Sequence, residues 1–121
     1  MEAEQIIDEA MSLTSLLRYM EVYINGDLIL RERSGISGSS ASESDKYEEL
    51  IVNPTLLTLT TQRGNIDCGG LNYIIIRYGN FFVLLFPVAG GHVNFGFETI
   101  VNPVELVEPI SALLKKYELL L

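Results

Sequence analysis

Cysteine, histidine and tryptophan are almost or wholly missing: one Cys, one His and no Trp occur in 121 residues. A single thiol, Cys68, excludes an internal disulfide framework and fits a reducing compartment. One imidazole and one thiol make no metal set at ligand spacing, so neither a metal nor a cofactor is expected. Basic residues are also scarce, eight against sixteen acidic, for a net charge of −8. Nucleic acid affinity rests on a positive surface that releases phosphate counterions, so no nucleic acid partner is expected. Long apolar runs are absent. The longest, Phe81 to Ala89, is nine residues, and a membrane helix needs about 20, so direct membrane insertion is not expected. The first residues include Glu2, Glu4, Asp8 and Glu9, the reverse of a cationic secretory leader, and a cytoplasmic location is the expectation.

A catalytic constellation is missing as well. His92, beside Gly90-Gly91, reads as a structural or surface residue, and Cys68, before Gly69-Gly70, as an idle thiol with no clustered cations. The acidic pairs Asp8-Glu9 and Glu48-Glu49 lie in predicted helices, where neighbours point about 100° apart, and both read as solvated faces. The chain is therefore not expected to be an enzyme, and no catalytic residue is assigned.

What is present is a 48% hydrophobic chain of single-domain length. Ile6, Ile7, Ala10, Met11 and Leu13 recur at helical spacing. The run from Tyr19 to Leu30 reads as a β-hairpin about Asn25-Gly26, which supplies the positive-φ pair of a tight turn and sets Val22 opposite Ile29. Residues 34–44, rich in Ser and Gly, read as a mobile loop without the lysine or glycine spacing of a phosphate-binding loop. A helix is predicted from Asp45 to about Arg63. Pro54 kinks or restarts it there, with Asn53 as the cap of a restarted segment. Three strands follow: Leu71 to Tyr78, Phe81 to Phe86 ended by Pro87, and His92 to Glu98. A last helix begins at Asn102-Pro103 and ends near Lys115-Lys116, whose charges suit a helix C-terminus. This order predicts an α+β layer fold on a largely antiparallel sheet. The strand from Leu71 to Tyr78 is apolar and free of proline, so at a sheet edge it lacks the usual guards against pairing.

The element order resembles that of the Roadblock (dynein light chain, gliding-protein partner) family over nearly the whole chain. Asn25-Gly26-Asp27 falls at that family's first hairpin, and the polar loop, second helix, meander from Tyr73 to Phe97 and final helix fall in the expected places. The resemblance implies a three-layer sandwich: a five-stranded antiparallel sheet in the order 2-1-5-4-3, with one helix on one face and two on the other. It also implies a homodimer joined through the third strand (Leu71, Tyr73, Ile75, Arg77) beside the second helix (Leu50, Leu57). The implied role is a non-enzymatic regulator or scaffold of a small Ras-like GTPase. Two rival readings are a secretion chaperone that binds an extended effector segment and a small-molecule sensor domain.

Overall fold

The computed structural model describes residues 3–35 and 42–121. Helix α1 (Ala3–Leu13) leads into a hairpin of β1 (Leu17–Ile24) and β2 (Asp27–Glu32). A long helical run follows: α2 (Ser42–Tyr47), a wide π turn (Glu48–Val52) and α3 (Asn53–Asp67). Strands β3 (Ile74–Arg77), β4 (Phe82–Val88) and β5 (Gly91–Phe97) then precede α4 (Val104–Lys116). The five strands form one antiparallel sheet in the order β2-β1-β5-β4-β3. This is the α+β arrangement, topology included, that the resemblance implies. Of the predicted mobile loop, Ser42 to Ser44 instead form the first turn of α2, and residues 36–41 lie outside the described residues.

The hairpin follows its turn chemistry. Asn25 (φ 52°) and Gly26 (φ 88°) both occupy the left-handed region. Val22 consequently pairs with Ile29 and Tyr23 with Leu28. One sheet face packs on α1 and α4 and holds the main core, with Met20, Val22, Phe86, Val93, Phe95 and Phe97 against Ile6, Ile7, Ile110 and Leu114. Arg33 fastens the end of α1, donating to the carbonyls of Met11 and Thr14 and, through Nε, to Leu17 at 2.8 Å. The Met11 and Thr14 carbonyls lie at the helix end, where backbone acceptors lack intrahelical partners, and Leu17 opens β1. On α4, Asn102 Oδ1 accepts from the Val104 N–H at 3.2 Å, as an N-cap does.

Pro87 does not end its strand as expected. It lies within β4, opposite His92. The tight turn pairs Val88 with Gly91, so alternation places the missing N–H of Pro87 on the side away from β5. That side is where β3 stops, at Ile74 opposite Leu85, leaving β3 four residues long rather than eight. The C-terminal tail fills the next place, with Leu120 bridged to Val88. It is steered there by a Schellman turn: Leu119 N–H donates to Leu114 and Glu118 N–H to Lys115, with Glu118 at φ 58°.

The second sheet face carries α2–π–α3, and here the helix is inverted relative to its apolar pattern. The inward stripe is Glu49, Asn53, Leu57 and Gly64, while Leu50, Ile51, Leu59 and Ile66 point outward. In the π turn the Asn53 N–H donates to Glu48, five residues back. The extra residue in this turn rotates the preceding stretch by about 100°. Leu50 and Leu57, seven residues apart, therefore part company. The wide turn also accommodates Pro54, whose ring would clash with a carbonyl in a regular helix interior. Asn53 has helical dihedrals and caps nothing, so the helix widens at Pro54 instead of restarting.

On this same face Tyr19 lies across Gly96, its cross-strand neighbour. A Cβ at position 96 would stand 2.1 Å from the Tyr19 ring. Gly96→Ala is therefore expected to lower stability by about 1–3 kcal/mol. The check is a urea melt whose midpoint falls while its slope stays unchanged.

Candidate functional site

Between the sheet and the π turn lies a buried polar cluster. Glu21 on β1 pairs in register with Asn94 on β5, and alternation puts His92 on the same face. The π turn lowers Glu49 onto these three. Glu49 and Asn94 have no exposed surface, Glu21 has 1% and His92 2%. His92 Nε2 stands 2.6 Å from Glu49 Oε1, and Asn94 Nδ2 donates to Glu49 Oε2 at 2.7 Å. Asn53 Nδ2 reaches both carboxylate oxygens, at 3.2 and 3.1 Å. Glu21 supplies a further hydrogen bond.

The two carboxyl groups are driven apart in acidity. Burial, the hydrogen bond to Glu49 and the charge of Glu49 push Glu21 up to about 11. Glu21 therefore keeps its proton at neutral pH and donates it. Burial alone would raise Glu49 as well, but hydrogen bonds from His92, Glu21 and Asn94 overcome it and hold this carboxyl below its usual range. Burial, then the charges of Glu21 and Glu49, push the Tyr19 hydroxyl up. Glu49 is thus an internal anion seated in a ring of donors from β1, β5 and α3. In this closed arrangement no substrate atom reaches it, and its effect is to clamp the helix onto the sheet. The sequence pattern makes Glu49 a solvated helix residue. That reading fails because the helix phase turns at the π segment, and a local carboxylate pattern carries no sign of it.

The residues expected at a dimer interface divide. Ile75 and Arg77 lie on β3 at the sheet edge, with Ile75 half-buried and Arg77 exposed and stacked 5.1 Å from the Phe82 ring centre. Leu71 and Tyr73 precede the strand. Leu71 packs toward Leu57, Val83 and Leu85, and the Tyr73 ring sits 6.0 Å from Phe86. Leu50 is exposed, but Leu57 faces the chain's own sheet and leaves the candidate surface. Ile51 and Leu59, 53% and 61% exposed, stand outward instead. Cys68 is exposed, 3.3 Å from an Arg63 nitrogen. Among the described residues no group of His, Cys, Asp and Glu is arranged to hold a metal ion, and no helix is long and apolar enough to cross a membrane.

The two sheet edges differ in kind. On β2, Arg31 pairs with Glu4 and Asp8 of α1, and Asp27 and Glu32 add charge. On β3 the sequence is Ile-Ile-Ile-Arg. No known protein-family model matches this chain, and no curated protein matches it significantly in sequence.

Proposed function

We propose that this chain is a homodimeric, non-enzymatic adaptor, joined edge to edge through β3, that binds a small Ras-like GTPase. The observation that carries the first half is the unguarded β3 edge beside a helix bearing outward Leu50, Ile51 and Leu59. Tyr78 N–H donates to Phe81 at 3.0 Å. Alternation from that pair leaves the N–H and C=O groups of Ile75 and Arg77 pointing off the sheet. A two-fold axis through Ile75 then pairs Ile75 with its copy and Ile74 with the partner's Ile76, extending one sheet across both protomers.

The GTPase half is supported by the likeness in element order to Roadblock proteins and by the 2-1-5-4-3 topology that likeness implied. A joined sheet offers one broad face, enough for the roughly 800 Å² per side of a specific interface. A regulator must bind the nucleotide states unequally, because equal affinity shifts neither population. Titration calorimetry against Ras-like GTPases of the same genome, loaded with GTP or GDP, is expected to show about a tenfold or greater difference. Equal binding would reduce the role to scaffolding. Failure to bind either form, with capture of an extended peptide, would replace this reading with the chaperone one.

A further inference from the structure

A second feature lies at the tip of the β3–β4 hairpin, where residues 78–81 meet α2 and the π turn. A cleft of about 420 Å³ opens there, walled by Tyr19, Tyr47, Tyr78 and Phe81 together with Asp45 and Glu48. The rings are mutually inclined and do not stack flat. Tyr19 meets Phe81 edge-on at 5.6 Å and 79°, and Tyr78 meets Phe81 at 5.6 Å and 49°. Four aromatic rings thus line one space, and an aromatic face carries the negative side of the ring quadrupole. Phe81 already attracts one cation, with the Arg18 guanidinium 5.5 Å from its centre.

The two carboxylates are the second observation. Glu48 accepts a long hydrogen bond from the Tyr78 hydroxyl, at 3.4 Å. Among the described residues neither Asp45 nor Glu48 forms an ion pair, whereas Glu4, Asp8, Glu9, Asp67 and Glu98 all do. Burial, then the charges of Glu32 and Glu49, raise Asp45; burial, then Glu49, raise Glu48. Negative charge therefore gathers around a half-enclosed aromatic space, and the guanidinium that rests against Phe81, that of Arg18, is ion-paired with Glu98.

We infer that this cleft binds an alkylammonium cation, either the side chain of a lysine presented by a partner or a free amine. The rings supply cation–π attraction and exclude water, and the carboxylates accept the ammonium hydrogens. A neutral or anionic ligand meets the wrong sign of field here. The cleft is lined by this chain's own hairpin tip, α2 and π turn, so the inference does not rest on the GTPase reading.

The test is an amide-shift titration of the ¹⁵N-labelled protein with n-butylammonium chloride, with Nα-acetyl-lysine amide and with a short lysine-bearing peptide. Potassium chloride at equal ionic strength and n-pentanol are the controls. Saturable shifts confined to residues 44–52 and 78–81 are expected for the ammonium probes and not for the controls. Tyr47 is mostly exposed, so Tyr47→Ala leaves the fold intact, and it is expected to weaken binding about fivefold. Glu48→Gln is expected to act in the same direction. A peptide binding at least about tenfold tighter than butylammonium identifies a partner's lysine as the ligand; similar affinities identify a free amine. Shifts that potassium chloride reproduces, or that persist unchanged in both variants, would overturn the inference.

Discussion

Replacing Glu49 by alanine is expected to destabilise the protein by about 3–5 kcal/mol, the range for breaking a buried charged network on one side. The carboxylate accepts from His92, Asn94, Asn53 and Glu21, and none of these donors has solvent to turn to. Each would be left buried without its acceptor. Loss of the clamp also frees the π turn and α2, so amide exchange in residues 43–53 should accelerate more than in α1 or α4. Equilibrium urea melts give the magnitude, and a loss below about 1 kcal/mol would mean that the cluster is already hydrated in solution. Glu21 sets the pH dependence. Its folded pKa is raised from 4.5 to about 11, so the native state holds a proton that the unfolded chain releases. Its contribution is complete below pH 4.5 and drains away as pH rises toward 11. Glu49 has the opposite sign, and its contribution fades as pH falls. Glu21→Gln keeps a donor toward Glu49 without a proton to lose, so it should flatten the alkaline limb and leave the variant the more stable form at pH 9. A variant whose stability still falls as steeply above pH 7 would remove Glu21 as the source.

The proposed dimer should be equally sensitive to Ile75→Asp. A two-fold axis near this position brings the substitution in twice, one carboxylate facing the other across the joint and both losing water on association. A desolvated, unpaired charge costs several kcal/mol, so the dimer constant should weaken by about a thousandfold or more. Within the protomer Ile75 is half-buried at an edge, and monomer stability should fall much less. Sedimentation velocity at micromolar concentration should show a dimer for the native chain and a monomer for the variant. A native chain that sediments as a monomer would end the edge-pairing proposal, and Tyr73→Asp provides a second probe at the same joint.

The sheet was largely legible in the sequence because its signals are local. Asn25-Gly26 sets one hairpin and its register. Alternation along β5 separates Val93, Phe95 and Phe97 from His92, Asn94 and Gly96. The strand order itself came from likeness to a known element order, since local patterns do not say which strands become neighbours. The buried cluster was not legible. Apolar residues mark a buried helix face only while the helix keeps one phase, and the π turn shifts that phase between Leu50 and Leu57. With Leu50, Ile51 and Leu59 turned outward, the pattern pointed to the wrong side, and Glu49 looked like any solvated carboxylate. The available hint was Pro54 in a helical run, a sign that the ladder had to open somewhere nearby. The length of β3 was hidden for a related reason, because Pro87 affects only the neighbour on the side of its missing N–H.

The position of β1 has a consequence for the order of events during synthesis. Its inner neighbour is β5, so Val22 waits for Val93. At about ten residues per second the β1–β2 hairpin leaves the ribosome several seconds before its central partner exists. During that interval its inner edge, with Met20, Val22 and Ile24, has nothing to pair with. Closure depends on the most distant segments of the chain meeting, which places this protein among slow folders in spite of its size. Its vulnerable moment is birth: a nascent chain stalled before residue 91 exposes an apolar strand that the finished protein hides.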